Sequence, residues 1–287
     1  MLNRWCSEIH NLNLAFSNLH RVVQQLAPKK KGRGRKPKRS LAKYIEIIVL
    51  KEYDERTLRG AEAHLSRYVC NERVDHSVIA YWENKKETKE IIAEIVSLAG
   101  AILEKHLSSI FAFVDATKFS DWHMNEINIH VCNKIANGTI YPVGISFLTK
   151  SVSEPVYEAV PNGNGLAYLD AGYDDNKTIG VMFQKGYTPI VCPNKNRWHG
   201  YWRKKARKLY RMPEYRLGYR QRGRGESVFG SLTNQFGDRL NVENLFAMQT
   251  RVASRILSYQ IKLIIRCQLS FYWELLDTLL FVIYSLR

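Results

Sequence analysis

The sequence predicts an α/β protein, a mixed sheet preceded by a small helical domain, and three observations predict it. Residues 40–109 place apolar side chains at helical spacing, behind capping residues at Ser40, Thr57 and Asp75. From Ile110 the period becomes that of strands, with alternation over residues 126–134 and a hairpin dipeptide at Asn137-Gly138. Two further short apolar runs, 165–169 and 188–191, bracket a helical stretch at 175–185. A chain of 287 residues is long enough for about two domains.

The elements follow in order. Leu12, Leu14, Ala15, Leu19, Val22, Val23 and Leu26 have the spacing of an amphipathic helix within residues 2–26, a candidate dimer interface. Ser40 caps a helix through Tyr44, Ile45, Ile47, Ile48 and Leu50, and Thr57 caps a second with Leu58, Ala61 and Leu65 on one face. Asp75 caps a third with Val78, Ile79 and Trp82 inward, and residues 87–106 carry a fourth. The second and third, 57–65 and 76–85, resemble a helix-turn-helix loosened by a nine-residue connection, 66–74. In that reading Asp75, His76, Ser77 and Tyr81 lie near the major groove. Residues 110–114 form a buried strand ending at Asp115, and 126–134 with 139–149 complete a meander. His123, His130 and Cys132 fit strand alternation better than a metal site. The expected domains are an N-terminal helix (1–28), a basic arm (29–39), a helical DNA-binding domain (40–109) and a sheet domain with C-terminal helices (110–287).

Charge narrows the function. There are 43 Lys and Arg against 27 Asp and Glu, a formal charge of +16, and a pI near 9.6. This points to a polyanionic partner. The excess is concentrated. Eight of the eleven residues from Lys29 to Arg39 are cationic and none is acidic. Arg33-Gly34-Arg35, followed by Lys36, resembles the AT-hook that lays arginines in a narrow minor groove. Residues 194–224 hold twelve cations, among them Arg203, Lys204, Lys205, Arg207 and Arg222, against Glu214 alone. Trp198, Tyr201, Trp202, Tyr210, Tyr215 and Tyr219 are interleaved with them. Cations for phosphate and aromatics for unstacked bases are the composition of a nucleic-acid surface. The remainder of the chain is slightly acidic, an arrangement that fits a membrane surface poorly. Five scattered cysteines without a Cys-x-x-Cys pair argue against a disulfide framework and a zinc ribbon. The first 25 residues lack the apolar core of a secretory signal. Lys262, Arg266, Glu274 and Asp277 interrupt the apolar C-terminal stretch 256–286, which reads as buried helices and not as a membrane span.

Three acids carry the candidate chemistry. Asp115 and Asp170 each close a short apolar run, and Glu226 opens a helix bearing Val228, Phe229, Leu232 and Phe236; the intervals are 55 and 56 residues. Three converging carboxylates repel one another unless a cation neutralises them, and hard oxygen ligands select Mg²⁺ or Mn²⁺. Two ions about 4 Å apart can hold the attacking and leaving oxygens of a phosphodiester in line. Asp115 would bridge both ions, with Asp170 and Glu226 completing one site each. Asp121, Asp174 and Asp175 are rival ligands.

The segments Phe113-Val-Asp115-Ala-Thr-Lys-Phe119, Leu169-Asp170-Ala-Gly-Tyr-Asp174 and Tyr219-x-x-Arg222-x-x-x-Glu226 resemble the acidic motifs of DDE transposases of bacterial and archaeal insertion sequences. The resemblance covers roughly residues 38–257. It implies an RNase H-like catalytic fold, binding of terminal inverted repeats and target DNA by a homodimer, and Mg²⁺-dependent cutting and joining in a prokaryotic, nucleoid-associated setting. Many relatives carry Lys seven positions after the catalytic Glu, where this chain has Thr233. The competing expectations are a non-catalytic helix-turn-helix protein and an RNase H-like nuclease that cuts without joining.

Overall fold

A computed structural model describes residues 2–26, 38–121, 123, 125–147, 153–196 and 199–267. In chain order the N-terminal elements are α1 (Leu2–Leu26), α2 (Leu41–Tyr53), α3 (Leu58–Gly60), a π-helical turn (Ala61–Leu65), α4 (Ser66–Cys70), α5 (His76–Glu83) and α6 (Lys86–Leu107). Then come β1 (Phe111–Ser120), β2 (Glu126–Ala136), β3 (Thr139–Phe147), α7 (Ser153–Ala159), β4 (Leu166–Leu169), α8 (Asn176–Gln184) and β5 (Thr188–Val191). The last are α9 (Tyr201–Arg211), α10 (Pro213–Tyr219), a 3-10 segment (Arg220–Arg224), α11 (Glu226–Phe236) and α12 (Leu245–Arg266). The chain divides into a helical unit, residues 1–102 with 242–287, and a sheet unit, residues 103–241.

In the helical unit two of the three expected caps form, at Thr57, whose hydroxyl accepts the Gly60 amide at 3.1 Å, and at Asp75, which accepts the Ser77 amide at 2.8 Å; Ser40 precedes α2 in extended backbone but its side chain makes no cap bond. The expected break at residue 66 does not occur. Ser66 stays helical, its hydroxyl bonded to the Glu62 carbonyl at 2.7 Å, and the helix runs through the π turn to Cys70. Asn71 then closes it in the left-handed region at φ 58°. The connection to α5 is therefore residues 71–75, shorter than the sequence pattern suggests.

The apolar face of α1 is buried within the unit at Ala15, Phe16, Leu19, Val22, Val23 and Leu26, where α1 contacts α2 and α12. That face is not a free dimerisation stripe. The same contacts bury Glu46, whose carboxylate lies 3.0 Å from His20 Nδ1 and 3.7 Å from Lys43 Nζ. Burial pushes the Glu46 carboxyl up to about 6, against the pull of Lys43. The folded chain thus holds a proton at a pH where the unfolded chain has released it, so this group's stabilisation fades as pH rises from its ordinary value to about 6. Glu46→Gln is expected to gain thermal stability relative to wild type as pH rises across that window. Melting curves in a pH series check this, and a constant difference between the two proteins would contradict it.

The position of α12 also departs from expectation. Grouped by sequence with the sheet, it lies in the helical unit and contacts α1, α2 and α5. It buries Val252, Ala253, Ile256 and Leu257 and brings two arginines to buried acids. Arg251 Nη2 is 3.0 Å from Glu83 and Arg255 Nε is 3.1 Å from Glu52, while Lys51 lies 3.1 Å from Glu83 and also pairs with Glu52. Burial alone would push the Glu52 carboxyl up, but Lys51, Arg255 and Arg251 hold it below its usual range. Residues 27–37, most of the basic arm, and 268–287 lie outside the described residues. No described helix is long and apolar enough to cross a membrane.

The sheet unit is a five-stranded mixed sheet in the order β3-β2-β1-β4-β5. The first three strands form the expected antiparallel meander, and β1, β4 and β5 are parallel. Asn137 and Gly138, at φ 51° and 76°, make the two-residue hairpin that needs both residues left-handed. Both faces of β2 are largely buried, and α7 packs on β2 and β3. On β1–β4–β5, Phe113, Tyr168 and Ile190 form an apolar cluster under Leu209, Tyr210, Tyr215 and Tyr219. Many aromatics of the basic segment therefore anchor it to the sheet.

Candidate active site

Two of the three acids owe their proximity to strand register. β1 and β4 are parallel neighbours with Val114 opposite Leu169, so Asp115 and Asp170 are the next residue on each. β1 does not end at Asp115. It continues to Ser120 because its pairing with β2 persists to Ser120 opposite Glu126, while its pairing with β4 stops at Val114. Asp115 thus stands where the parallel part of the sheet ends, on the face of Phe113. Each carboxylate is oriented by the amide that follows it, Ala116 to Asp115 at 2.9 Å and Ala171 to Asp170 at 2.7 Å.

The third acid arrives on α11. Gly225 immediately precedes it; a Cβ at that position would lie 3.2 Å from the Phe113 Cβ, so the absence of a side chain lets the start of α11 approach β1 closely. Arg222 links the acids, its guanidinium 3.8 Å from Asp115 and 3.1 Å from Glu226. Burial pushes the Asp115 carboxyl above its usual range. The Ala116 amide and Arg222 oppose this, while Glu226 and Asp170 add to it. Asp170, Asp115 and Glu226 all act in turn on Arg222. One guanidinium among three carboxylates leaves an excess of negative charge and an all-oxygen donor set, the combination a hard divalent cation takes. The acids stand around Arg222 rather than touching. Among the described residues, only Glu62, Asp75 and His76 bring three ligand atoms within 4.8 Å of one another.

The rival acids have other partners. Asp174 is buried, bonded by Arg203 Nε at 2.9 Å and by the Asn194 amide at 2.7 Å. Asp175 caps α8, and Asp121 accepts the His123 and Asn125 amides at 2.8 Å each.

The cationic candidates divide. Arg203 is buried on Asp174 and on the Asp174 and His199 carbonyls, and Arg207 lies 3.6 Å from Asp174 and donates to the Asn194 carbonyl. Lys204 and Lys205 are exposed, the Lys205 ammonium 4.3 Å from the centre of the Phe183 ring. Tyr201 is 70% exposed, the largest apolar exposure of this segment among the described residues. Tyr219 turns inward, and its hydroxyl donates to the Leu169 carbonyl at 3.0 Å, one residue before Asp170. In the helical unit His76 is half-exposed, Ser77 Oγ bonds Asp75 at 2.6 Å and Tyr81 is exposed. Arg33, Arg35 and Lys36 fall outside the described residues.

Sequence reasoning missed Tyr173. Its buried hydroxyl shares a 2.8 Å hydrogen bond with His130 Nδ1. Burial, Asp115 and Asp170 all push the phenol upward, so it stays neutral beside the acids. The available signal was its place three residues after Asp170.

Tyr219→Phe is expected to lower stability by about 1 kcal/mol, since it leaves the Leu169 carbonyl without its partner. Thermal unfolding of the variant and of wild type checks this, and an unchanged midpoint would contradict it.

The mixed α/β fold with its sheet ordered 3-2-1-4-5 is RNase H-like. Residues 152–261 match the family described as Transposase DDE domain, a match that supports a DDE transposase. It includes Asp170 and Glu226, while Asp115 lies before it. No curated protein and no solved structure matches the chain.

Proposed function

We propose that the chain is a DNA transposase that binds the terminal inverted repeats of its element and carries out divalent-metal-dependent strand cleavage and strand transfer. The observation that carries this reading is the gathering of Asp115, Asp170 and Glu226 around Arg222. These three carboxylates would hold two Mg²⁺ or Mn²⁺ ions, which polarise water for hydrolysis and a DNA 3′-hydroxyl for transfer. The chain's own residues fix the donors. The Ala116 and Ala171 amides orient Asp115 and Asp170, Tyr219 secures the end of β4, and Gly225 admits α11.

DNA reading falls to the helical unit, with the 58–70 helix and α5 as a helix-turn-helix that presents His76, Ser77 and Tyr81. Lys204, Lys205 and Tyr201 on α9 offer charge and an aromatic face to strand ends. Thr233 bonds the Phe229 carbonyl at 2.9 Å where many relatives carry Lys, so this contact to DNA is not carried by that position. Joining at two element ends implies at least a homodimer on DNA.

The test is incubation of the protein with its own element ends, target DNA and Mg²⁺. Cleaved and joined products are expected. Cleavage without joining indicates a nuclease, and binding without cleavage a non-catalytic DNA-binding protein; either result overturns the transposase reading.

A further inference from the structure

Between the 58–70 helix and the start of α5 lies a pocket of about 600 Å³ lined by Arg59, Glu62, Ala63, Arg67, Arg73 and His76. Its floor is the Glu62 carboxylate, 7% exposed. Both oxygens of that group are taken. Arg73 bonds one through Nε at 2.6 Å and again through Nη2, while the His76 amide at 3.1 Å and Nδ1 at 2.7 Å hold the other. The Arg73 and His76 partners hold Glu62 below the usual carboxylate range. A guanidinium on the floor carboxylate makes the Glu62–Asp75–His76 cluster a poor cation site. It also makes it a rigid support for the positively charged wall above.

Arg59 and Arg67 form that wall. They are exposed and eight residues apart on the same helix, and among the described residues neither has an ion-pair partner. The net charge of the lining is positive. The root of the cationic arm is tied to the same turn. Lys38 and Arg39 both pair with Glu72, Arg39 donates to the Arg73 carbonyl, and Lys43 donates to the Val69 carbonyl at 2.7 Å. Lys38 and Arg39, the described end of the cationic run 29–39, thus lie at the turn that carries Arg73.

We infer that this pocket seats the sugar–phosphate backbone of duplex DNA. Arg59 and Arg67 contact phosphate directly. Glu62 is a positioning residue that holds Arg73 in the wall, and it fixes His76 with Nδ1 donating inward and Nε2 turned outward. The inference rests on the proposal that the helical unit binds DNA, and it adds phosphate contacts that set affinity without setting sequence.

The experiment is a binding titration of the full chain against a labelled element-end duplex and a scrambled duplex, over a series of salt concentrations. Arg59→Ala with Arg67→Ala is expected to weaken both duplexes about equally. It should also reduce the slope of log affinity against log salt by about 2, since each phosphate contact contributes about 0.9. Arg59→Lys with Arg67→Lys should restore most of the slope, which a purely structural role would not do. An unchanged slope in the alanine variant, with wild type binding duplex normally, overturns the pocket alone. A wild-type chain that binds neither duplex overturns both the pocket and the DNA-binding reading.

Discussion

Asp115→Ala, Asp170→Ala and Glu226→Ala are each expected to abolish metal-dependent cleavage of element ends, by about a thousandfold or more, while leaving duplex binding nearly intact. The magnitude follows from losing a metal ligand where the metal supplies several kcal/mol of charge stabilisation in the transition state. Binding survives because the exposed cations lie elsewhere, on α9 and in the helical unit. Glu226 and Asp170 both repel the Asp115 carboxylate, so the thermal stability of Asp115→Ala should hold or rise. Cleavage and binding assays on the same preparations check both parts. Wild-type cleavage in any one variant would remove that residue from the site.

Glu83→Ala should have the largest effect on stability. Glu83 is 1% exposed, 3.1 Å from Lys51 and 3.0 Å from Arg251. Its loss leaves Glu52 as the one anion of the buried cluster facing Lys51, Arg251 and Arg255, and breaking a buried pair on one side costs about 3–5 kcal/mol. The exposed Lys86–Glu90 pair, 3.4 Å apart on α6, is the control. Removing it should change little, because water and salt screen it. Denaturant titrations of both variants test the contrast. Equal effects would mean that the buried network is as solvated as the surface.

Much of this fold was legible because local chemistry and final structure agree. Thr57, Asp75 and Asn137-Gly138 form the expected caps and turn, since those signals depend on neighbouring residues alone, whereas Ser40 makes no side-chain cap bond. Departures arise where tertiary partners decide. Nothing near residue 66 says that the helix continues to Cys70, because that depends on the π turn and the burial of Val69. The association of α12 with the helical unit depends on Glu52 and Glu83, roughly 170 to 200 residues away in the chain. The register that sets Asp115 beside Asp170 is likewise a pairing property.

The candidate site shows the same division. The acids could be singled out by type and setting, since a carboxylate after an apolar run is costly unless partnered. The cations could not be sorted that way. Arg203 and Lys204 are adjacent in one basic run, yet helix periodicity turns Arg203 inward to Asp174 and Lys204 outward. Tyr219 looks like a base-stacking side chain in the sequence and is a strut on Leu169 in the fold.

Affinity cleavage with iron tests the central claim most directly. Fe²⁺ in place of Mg²⁺, with ascorbate and peroxide, generates hydroxyl radicals that cut the polypeptide beside the bound ion. The account predicts scission near Asp115, Asp170 and Glu226, suppressed by excess Mg²⁺ and lost in the Asp170→Ala variant. Scission confined to the Glu62–Asp75–His76 cluster, or none above background, would contradict it.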